Sequence, residues 1–468
     1  MNYDKIYIDG QWIKPNSEKW IEVINPATEE VIERVVRANE KDTNLAIKAA
    51  KEAFDSWQYT DVSERIAYME KVRDLLIENM DDLAKIIVAD VGCGLKFAKN
   101  GHEKGYIYEI DHFISLASDY EFIEDYDGYK VYREPVGVVA CITPWNYPFG
   151  QISKKVVPAI LAGNTVVLKP SQQTPLIAYA LTEIIDQAGL PAGVFNFVPG
   201  VGGEVGDILA SSEDVDMVSF TGSTKGGIEV GKLAIGDVKK IALELGGKSA
   251  AIVVEDANLD IAAKVTLDTV YNNTGQTCSA LTRLLVPENM KKEVEEKIIE
   301  LTKEYKFGDP KDEETIIGPL ISQKQFDKVS YYIDKGLEEG AKLLIGERPK
   351  KEGKGYYVGP TVFTDVNNSM TIAQEEIFGP VLSIISYKNV DEAIEIANDI
   401  EYGLSGAVFG PEEACQYVAR RMKTGMVIVN DKKRTFRAPF GGYKHSGLGR
   451  EGGNYGFDEF LEVKTVYL

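Results

Sequence analysis

Val136-Gly137-Val138-Val139-Ala140-Cys141-Ile142 and Thr165-Val166-Val167-Leu168-Lys169 decide the architecture. Each is a short, β-branched apolar run, the composition of a strand covered on both faces. The stretch 178–188 reads as a helix, and Val194-Phe195-Asn196-Phe197-Val198 as the next strand. After another helix comes Val215-Asp216-Met217-Val218-Ser219-Phe220. Strands alternating with helices make βαβ units, so the expectation is a parallel sheet with helices on both faces. The alternation resumes after Leu243, through Ala250-Ala251-Ile252-Val253-Val254 and Leu284-Leu285-Val286. The fold class is therefore α/β, with two domains joined near Gly246-Gly247.

Upstream, Ile6-Tyr7-Ile8 and Gln11-Trp12-Ile13 flank Asp9-Gly10, a hairpin signal. A second turn at Asn25-Pro26-Ala27-Thr28 precedes a strand-like run at 31–35. Helical spacing begins near Thr43, one long helical stretch is expected over 63–88, and helical signals persist to about Tyr120. Around Asp125-Tyr126-Asp127-Gly128-Tyr129, and again at 462–468, the chain is strand-like but polar. Such pieces suit an arm that pairs with another subunit, or a plain surface hairpin.

Of the 468 residues, 73 are Asp or Glu and 52 are Lys or Arg, a formal charge of −21. That field repels nucleic acid and anionic membranes, which argues against both as main partners. The 4 cysteines cannot form a disulfide framework in so long a chain and fit a reducing cytosol. Met1-Asn2-Tyr3-Asp4-Lys5-Ile6 lacks a signal-peptide pattern, and no apolar run reaches the ~18 residues of a spanning helix. The composition leaves a large cytoplasmic protein, with an enzyme as the first expectation.

Several stretches carry chemistry-bearing residues. Phe220-Thr221-Gly222-Ser223-Thr224-Lys225-Gly226-Gly227 follows a strand and opens a helix, so it is a phosphate cradle or an ordinary strand-to-helix turn. Cys278, in Asn273-Thr274-Gly275-Gln276-Thr277-Cys278-Ser279, sits in a polar, glycine-containing loop, where a reactive thiolate is better placed than a structural thiol. Cys141 lies inside an apolar strand and reads as packing. Glu244, within Leu243-Glu244-Leu245-Gly246-Gly247-Lys248, is a carboxylate among apolar neighbours, either a general base with a raised pKa or a solvent-facing residue of an alternating strand. Asn146, in Thr143-Pro144-Trp145-Asn146-Tyr147-Pro148, sits in a loop stiffened by two prolines and is a fixed amide donor or an ordinary turn residue. The three histidines form no zinc motif, and neither a Gly-x-Ser-x-Gly elbow nor a Walker A loop is present, so no metal is expected.

Taken in order, Pro144-Trp145-Asn146, Phe220-Thr221-Gly222-Ser223, Leu243-Glu244-Leu245-Gly246-Gly247-Lys248 and Gly275-Gln276-Thr277-Cys278 closely resemble the aldehyde dehydrogenase superfamily. Glu375-Glu376-Ile377-Phe378-Gly379-Pro380, Tyr402-Gly403-Leu404-Ser405 and Pro439-Phe440-Gly441-Gly442-Tyr443-Lys444 continue the likeness over nearly the whole chain. The resemblance implies a Rossmann-like cofactor domain (1–119 and 139–245), a catalytic domain (246–446) and a small β oligomerisation arm (120–138 and 447–468). It also implies a homodimer or homotetramer that oxidises a small-molecule aldehyde with NAD or NADP. Cys278 would be the nucleophile, Asn146 an oxyanion donor, and Glu244 the base that hydrolyses a thioester. Glu376 and Phe378 would serve the nicotinamide ribose and Lys169 the adenosine ribose. Gly222 and Ser223 would approach the pyrophosphate, with Ile142, Trp145, Ser171, Gln172 and Gly202 also contacting the cofactor.

Two departures bear on specificity. Gln172 follows Lys169-Pro170-Ser171 where many NAD-preferring relatives carry Glu, which removes a charge that repels a 2′-phosphate and suggests dual cofactor use. Tyr147, Gln151, Lys154, Thr277, Ser279 and Phe436 fall where relatives line the aldehyde tunnel, and Gln151 and Lys154 are polar for that role. Lys432-Lys433-Arg434-Thr435-Phe436-Arg437 concentrates four cations, which would guide a carboxylate-bearing semialdehyde or form a solvated loop. The alternatives are thus a semialdehyde-specific member and a catalytically silent homologue acting as a binding or structural protein.

Overall fold

The computed structural model describes the backbone of residues 1–468 and every side chain but that of Glu103. Its centre is an eight-stranded sheet whose inner strands, Lys240–Glu244, Met217–Thr221, Val138–Ile142, Thr165–Lys169 and Phe195–Phe197, run parallel in that spatial order. The Asp9-Gly10 hairpin extends one edge antiparallel, with Ile6 opposite Ile13, and both turn residues adopt positive φ (52° and 72°), as a tight primed turn requires. Val138–Ile142 and Thr165–Lys169 are buried along their whole length, which is why they read as unbroken apolar runs.

The second sheet has seven strands. Ala250–Val253 lies between Arg283–Pro287 and Ser405–Phe409, with Val381–Tyr387, Thr361–Thr364 and Met426–Val429 continuing it in parallel. The chain crosses between the sheets at Leu245 to Ser249, through the two glycines, and returns after Val429.

The polar strands pair with each other: Leu461–Tyr467 lies antiparallel to Tyr129–Pro135, which also pairs with Ile123–Tyr126. Gly447–Leu448 pairs with Leu243 and Glu244 on the first sheet and Val138 lies at that sheet's centre, so the small three-stranded sheet itself is built from 123–126, 129–135 and 461–467. The expected long helix over 63–88 is two helices, Val62–Glu78 and Met80–Val91. They part at Asn79, whose side-chain amide caps the first by donating to the Leu75 carbonyl (2.7 Å). Among the described residues no helix is long and apolar enough to cross a membrane.

Candidate active site

Strand order reverses between Val138–Ile142 and Met217–Thr221, and open α/β sheets bind ligands in the crevice beyond the carboxyl ends at such a point. The Pro144-Trp145-Asn146 loop leaves one of these strand ends and Gly222-Ser223 the other. Ser223 caps helix Thr224–Ile235, its hydroxyl accepting from the Gly226 N–H (3.1 Å), and the helix presents its positive end to this crevice. At the end of Thr165–Lys169, the buried Lys169 ammonium has three donors and donates one hydrogen bond, to the Pro170 carbonyl (2.9 Å). Burial pushes Lys169 down to about 8. Ser171 and Gln172 follow it, and the Gln172 side chain is exposed. Gly202 opens a short π-helical turn, Gly202–Gly206. Across the crevice Trp145 meets Phe378 edge-to-face at 5.3 Å, with Phe378 held at φ +62°. Buried polar atoms, a helix N-terminus and an aromatic pair at one switch point fit a dinucleotide.

Cys278 follows an unusual turn. Asn273, Thr274 and Gly275 have φ of 51°, 57° and 71° in succession, a conformation only glycine adopts freely. Buried amides hold it: the Asn273 side chain donates to the Asn146 carbonyl (2.9 Å), and that of Gln276 donates to the Asn273 carbonyl (3.1 Å) while accepting from the Ile321 N–H (2.9 Å). A Cβ on Gly275 would lie 2.2 Å from the Gly379 carbonyl oxygen, so the turn also needs a glycine for space. The buried Asn146 amide donates to the Gln276 carbonyl (2.9 Å), which places it against the cysteine loop and leaves its second N–H for another acceptor.

Gly247 ties the interdomain crossing to the same spot. Its N–H donates to Glu376 Oε1 (3.0 Å), and a Cβ on it would lie 2.6 Å from the Cys278 carbonyl. Burial, then the Glu376 carboxylate, push the Cys278 thiol up to about 12, against the pull of Arg434 and Lys154. The cysteine is nonetheless partly exposed and opens onto a cavity of about 520 Å³. Tyr147, Gln151, Lys154, Thr277, Ser279 and Phe436 all line that cavity beside it, and the Tyr147 hydroxyl bonds the Thr277 hydroxyl (2.8 Å).

Glu244 closes its strand with both carboxylate oxygens buried and without a hydrogen-bond partner among the described residues. Burial, then repulsion from Glu451, hold it well above the usual carboxylate range. A Cβ on Gly441 would lie 2.5 Å from its Oε1, so a glycine there makes room for the carboxylate. Beside it, the buried Lys155 ammonium bonds Ser219 (3.0 Å) and Glu451.

The description that these residues match is a family model, Aldehyde dehydrogenase family, covering residues 12–466. The chain belongs to the aldehyde dehydrogenase family. As a member it is an aldehyde-oxidising enzyme that works with NAD or NADP. A Staphylococcus aureus protein that carries the aldehyde dehydrogenase name only provisionally is 46% identical over 471 residues, 99% of this chain and 98% of its own length. A mutant aldehyde dehydrogenase C from Pseudomonas syringae, in complex with NAD+ and octanal, superposes with TM-score 0.98 at 42% identity, over 100% of this chain and 97% of that one. A betaine aldehyde dehydrogenase from Staphylococcus aureus in complex with NAD+ gives 0.96 at 38% identity, over 99% and 94%.

In this dehydrogenase the sequence reading passed over Glu109, Lys155 and Glu451. Glu109 is fully buried on helix Gly105–Asp119, 3.7 Å from Lys154, and burial pushes it up to about 7. A carboxylate in phase with Tyr106, Ile110 and Phe113 was the available signal. Lys155 and Glu451 carried none, because they pair across 296 residues.

Proposed function

We propose that Cys278 forms a covalent adduct with the aldehyde and that Glu244 is the base which frees the acid. The observation that carries this is Glu244 itself: an unpaired, buried carboxylate on the segment whose Gly247 abuts Cys278. No group among the described residues bonds its oxygens, and a buried carboxyl left unmet costs stability, a mark of a functional site.

The Cys278 sulfur, as thiolate, bonds the carbonyl carbon while the carbonyl π pair moves to oxygen. That oxyanion accepts hydrogen bonds from the Asn146 amide and the Cys278 backbone N–H. NAD or NADP, when bound, supplies the hydride acceptor that turns the adduct into a thioester. Lys169, Glu376, Phe378, Trp145 and the Gly222-Ser223 helix end are the residues that would hold it, with Ile142, Ser171, Gln172 and Gly202 around them. Glu244 takes a proton from water, the hydroxide oxygen bonds the thioester carbon, and the C–S bond breaks to return the cysteine sulfur. Glu451, held by Lys155, contributes the negative charge that helps raise Glu244 toward a base's range.

Gln172 brings no charge against a 2′-phosphate, which supports use of NADP as well as NAD. The arm formed by 123–135 and 461–467 serves assembly into a dimer or tetramer; Val463 and Tyr467 leave it 59% and 82% exposed, the apolar surface a partner subunit would cover. Four cysteines in a chain of 468 residues fit a cytoplasmic enzyme. The test is formation of reduced cofactor from a small aldehyde panel with each dinucleotide, repeated after alkylation of the thiols. Activity lost on alkylation is expected; full activity of the enzyme alkylated at Cys278 would overturn the assignment.

A further inference from the structure

The wall of the cavity beside Cys278 holds two kinds of cation. Lys154, on helix Pro148–Ala162, is buried and has a buried carboxylate for company, Glu109 at 3.7 Å, so its charge is already answered from within the protein. Arg434, on the loop that follows strand Met426–Val429, is different. Its guanidinium donates to Ser279 Oγ (3.2 Å) and lies 5.1 Å over the Phe440 ring, yet it pairs with no carboxylate among the described residues. Lys432 and Lys433 line the same cavity and are likewise without an ion pair among the described residues.

In a chain of net charge −21, three unanswered cations around one opening are a local reversal of sign. A guanidinium has five donors in a planar fork, and one side-chain hydroxyl uses a single one. The group it bonds belongs to the residue next to the nucleophile, so the fork stands within one short carbon chain of the sulfur. The lining also holds Tyr106, Phe436 and Phe440, whose rings suit the chain between the two ends.

We propose that the substrate is a short aldehyde bearing a carboxylate at its far end, with Arg434 as the residue that pairs with it. This rests on Cys278 being the nucleophile, since the cavity is the one the sulfur opens onto. A cationic aldehyde is disfavoured by the same field, so betaine aldehyde is expected to be a poorer substrate than an uncharged one.

The experiment compares kcat/KM for succinate semialdehyde, butanal, betaine aldehyde and glyceraldehyde 3-phosphate in the native enzyme and in Arg434→Gln and Arg434→Lys. The expected result is preference for succinate semialdehyde over butanal, weakening as salt is raised. In Arg434→Gln the ratio of these two values falls roughly 2- to 5-fold, the factor for one charge pair at an exposed position, through KM of the semialdehyde. Arg434→Lys keeps part of it, because a lysine supplies charge without the fork. A native enzyme that prefers butanal, or a ratio untouched by Arg434→Gln, would overturn the inference while leaving aldehyde oxidation intact. A clear preference for the phosphorylated aldehyde would overturn the carboxylate assignment. Inactivity toward all four would overturn the reading of the site, and this inference with it.

Discussion

Replacing Glu244 by glutamine keeps the shape of the side chain and removes its capacity to take a proton. If Glu244 acts only on water, the steps before thioester hydrolysis survive. Rapid mixing with saturating aldehyde and cofactor should then show a burst of reduced dinucleotide close to one per active site. Steady turnover should fall about 10²- to 10⁴-fold, the usual contribution of a positioned base. Stability should move the other way. The folded carboxyl is held above its unfolded value, chiefly by burial, so its stabilising share is present at low pH and is lost as pH rises through the folded pKa. At about pH 8, well above the unfolded carboxyl's range, the native enzyme therefore bears the cost of burying this carboxyl without a partner, which Glu244→Gln lacks. The variant should unfold later there by about 1–3 kcal/mol, with the gap closing toward about pH 4. Thermal unfolding at both pH values reads this directly. Full steady turnover in the variant, or a variant less stable at the higher pH, refutes the reasoning; loss of the burst would move the role of Glu244 ahead of hydride loss.

Other residues give sharper single readings. With the thiol pushed up to about 12, alkylation of Cys278 in the cofactor-free enzyme should keep rising with pH beyond about 9, and a plateau near neutral pH would contradict the account. Asn146→Ala removes one oxyanion donor and should lower kcat about 10²- to 10³-fold while leaving Cys278 open to alkylation; an unchanged kcat would remove Asn146 from the site. Gln172→Glu restores a charge at an exposed position, where a pair near 4 Å is worth only about 1 kcal/mol. It should therefore lower kcat/KM with NADP about fivefold and spare NAD, and equal losses with both cofactors would count against a role in that choice.

The parallel core was legible because Val138–Ile142 and Thr165–Lys169 are covered on both faces, and such strands show as uninterrupted apolar runs. Helix Pro148–Ala162, buried along its whole length, was hidden by its polar letters, for Lys154 and Lys155 each find a carboxylate inside. Local context made Cys278, Glu244 and Asn146 candidates, a thiol in a polar loop, a carboxylate between leucines and an amide between prolines, and the resemblance to the family implied their roles. What joins them was not readable, since the hydrogen bonds from Asn146 to Gln276 and from Gly247 to Glu376 span 130 and 129 residues. The short edge strand of the first sheet was not readable for a related reason. Gly447–Leu448 is two residues long, too short to carry a periodic pattern, and only its pairing with the first sheet reveals where it belongs.

The turn before the nucleophile has a consequence for how this enzyme can change. Two non-glycine residues in the left-handed region cost on the order of 1–3 kcal/mol each, and the side chains of Asn273 and Gln276 hold them there. A mutational scan should thus divide the pocket sharply: nearly every replacement from 273 to 276 would release the backbone and displace the sulfur, whereas the exposed loop at 432–437 tolerates exchange. New substrate preferences would then arise by rewriting that loop, around a reacting atom whose position is inherited unaltered.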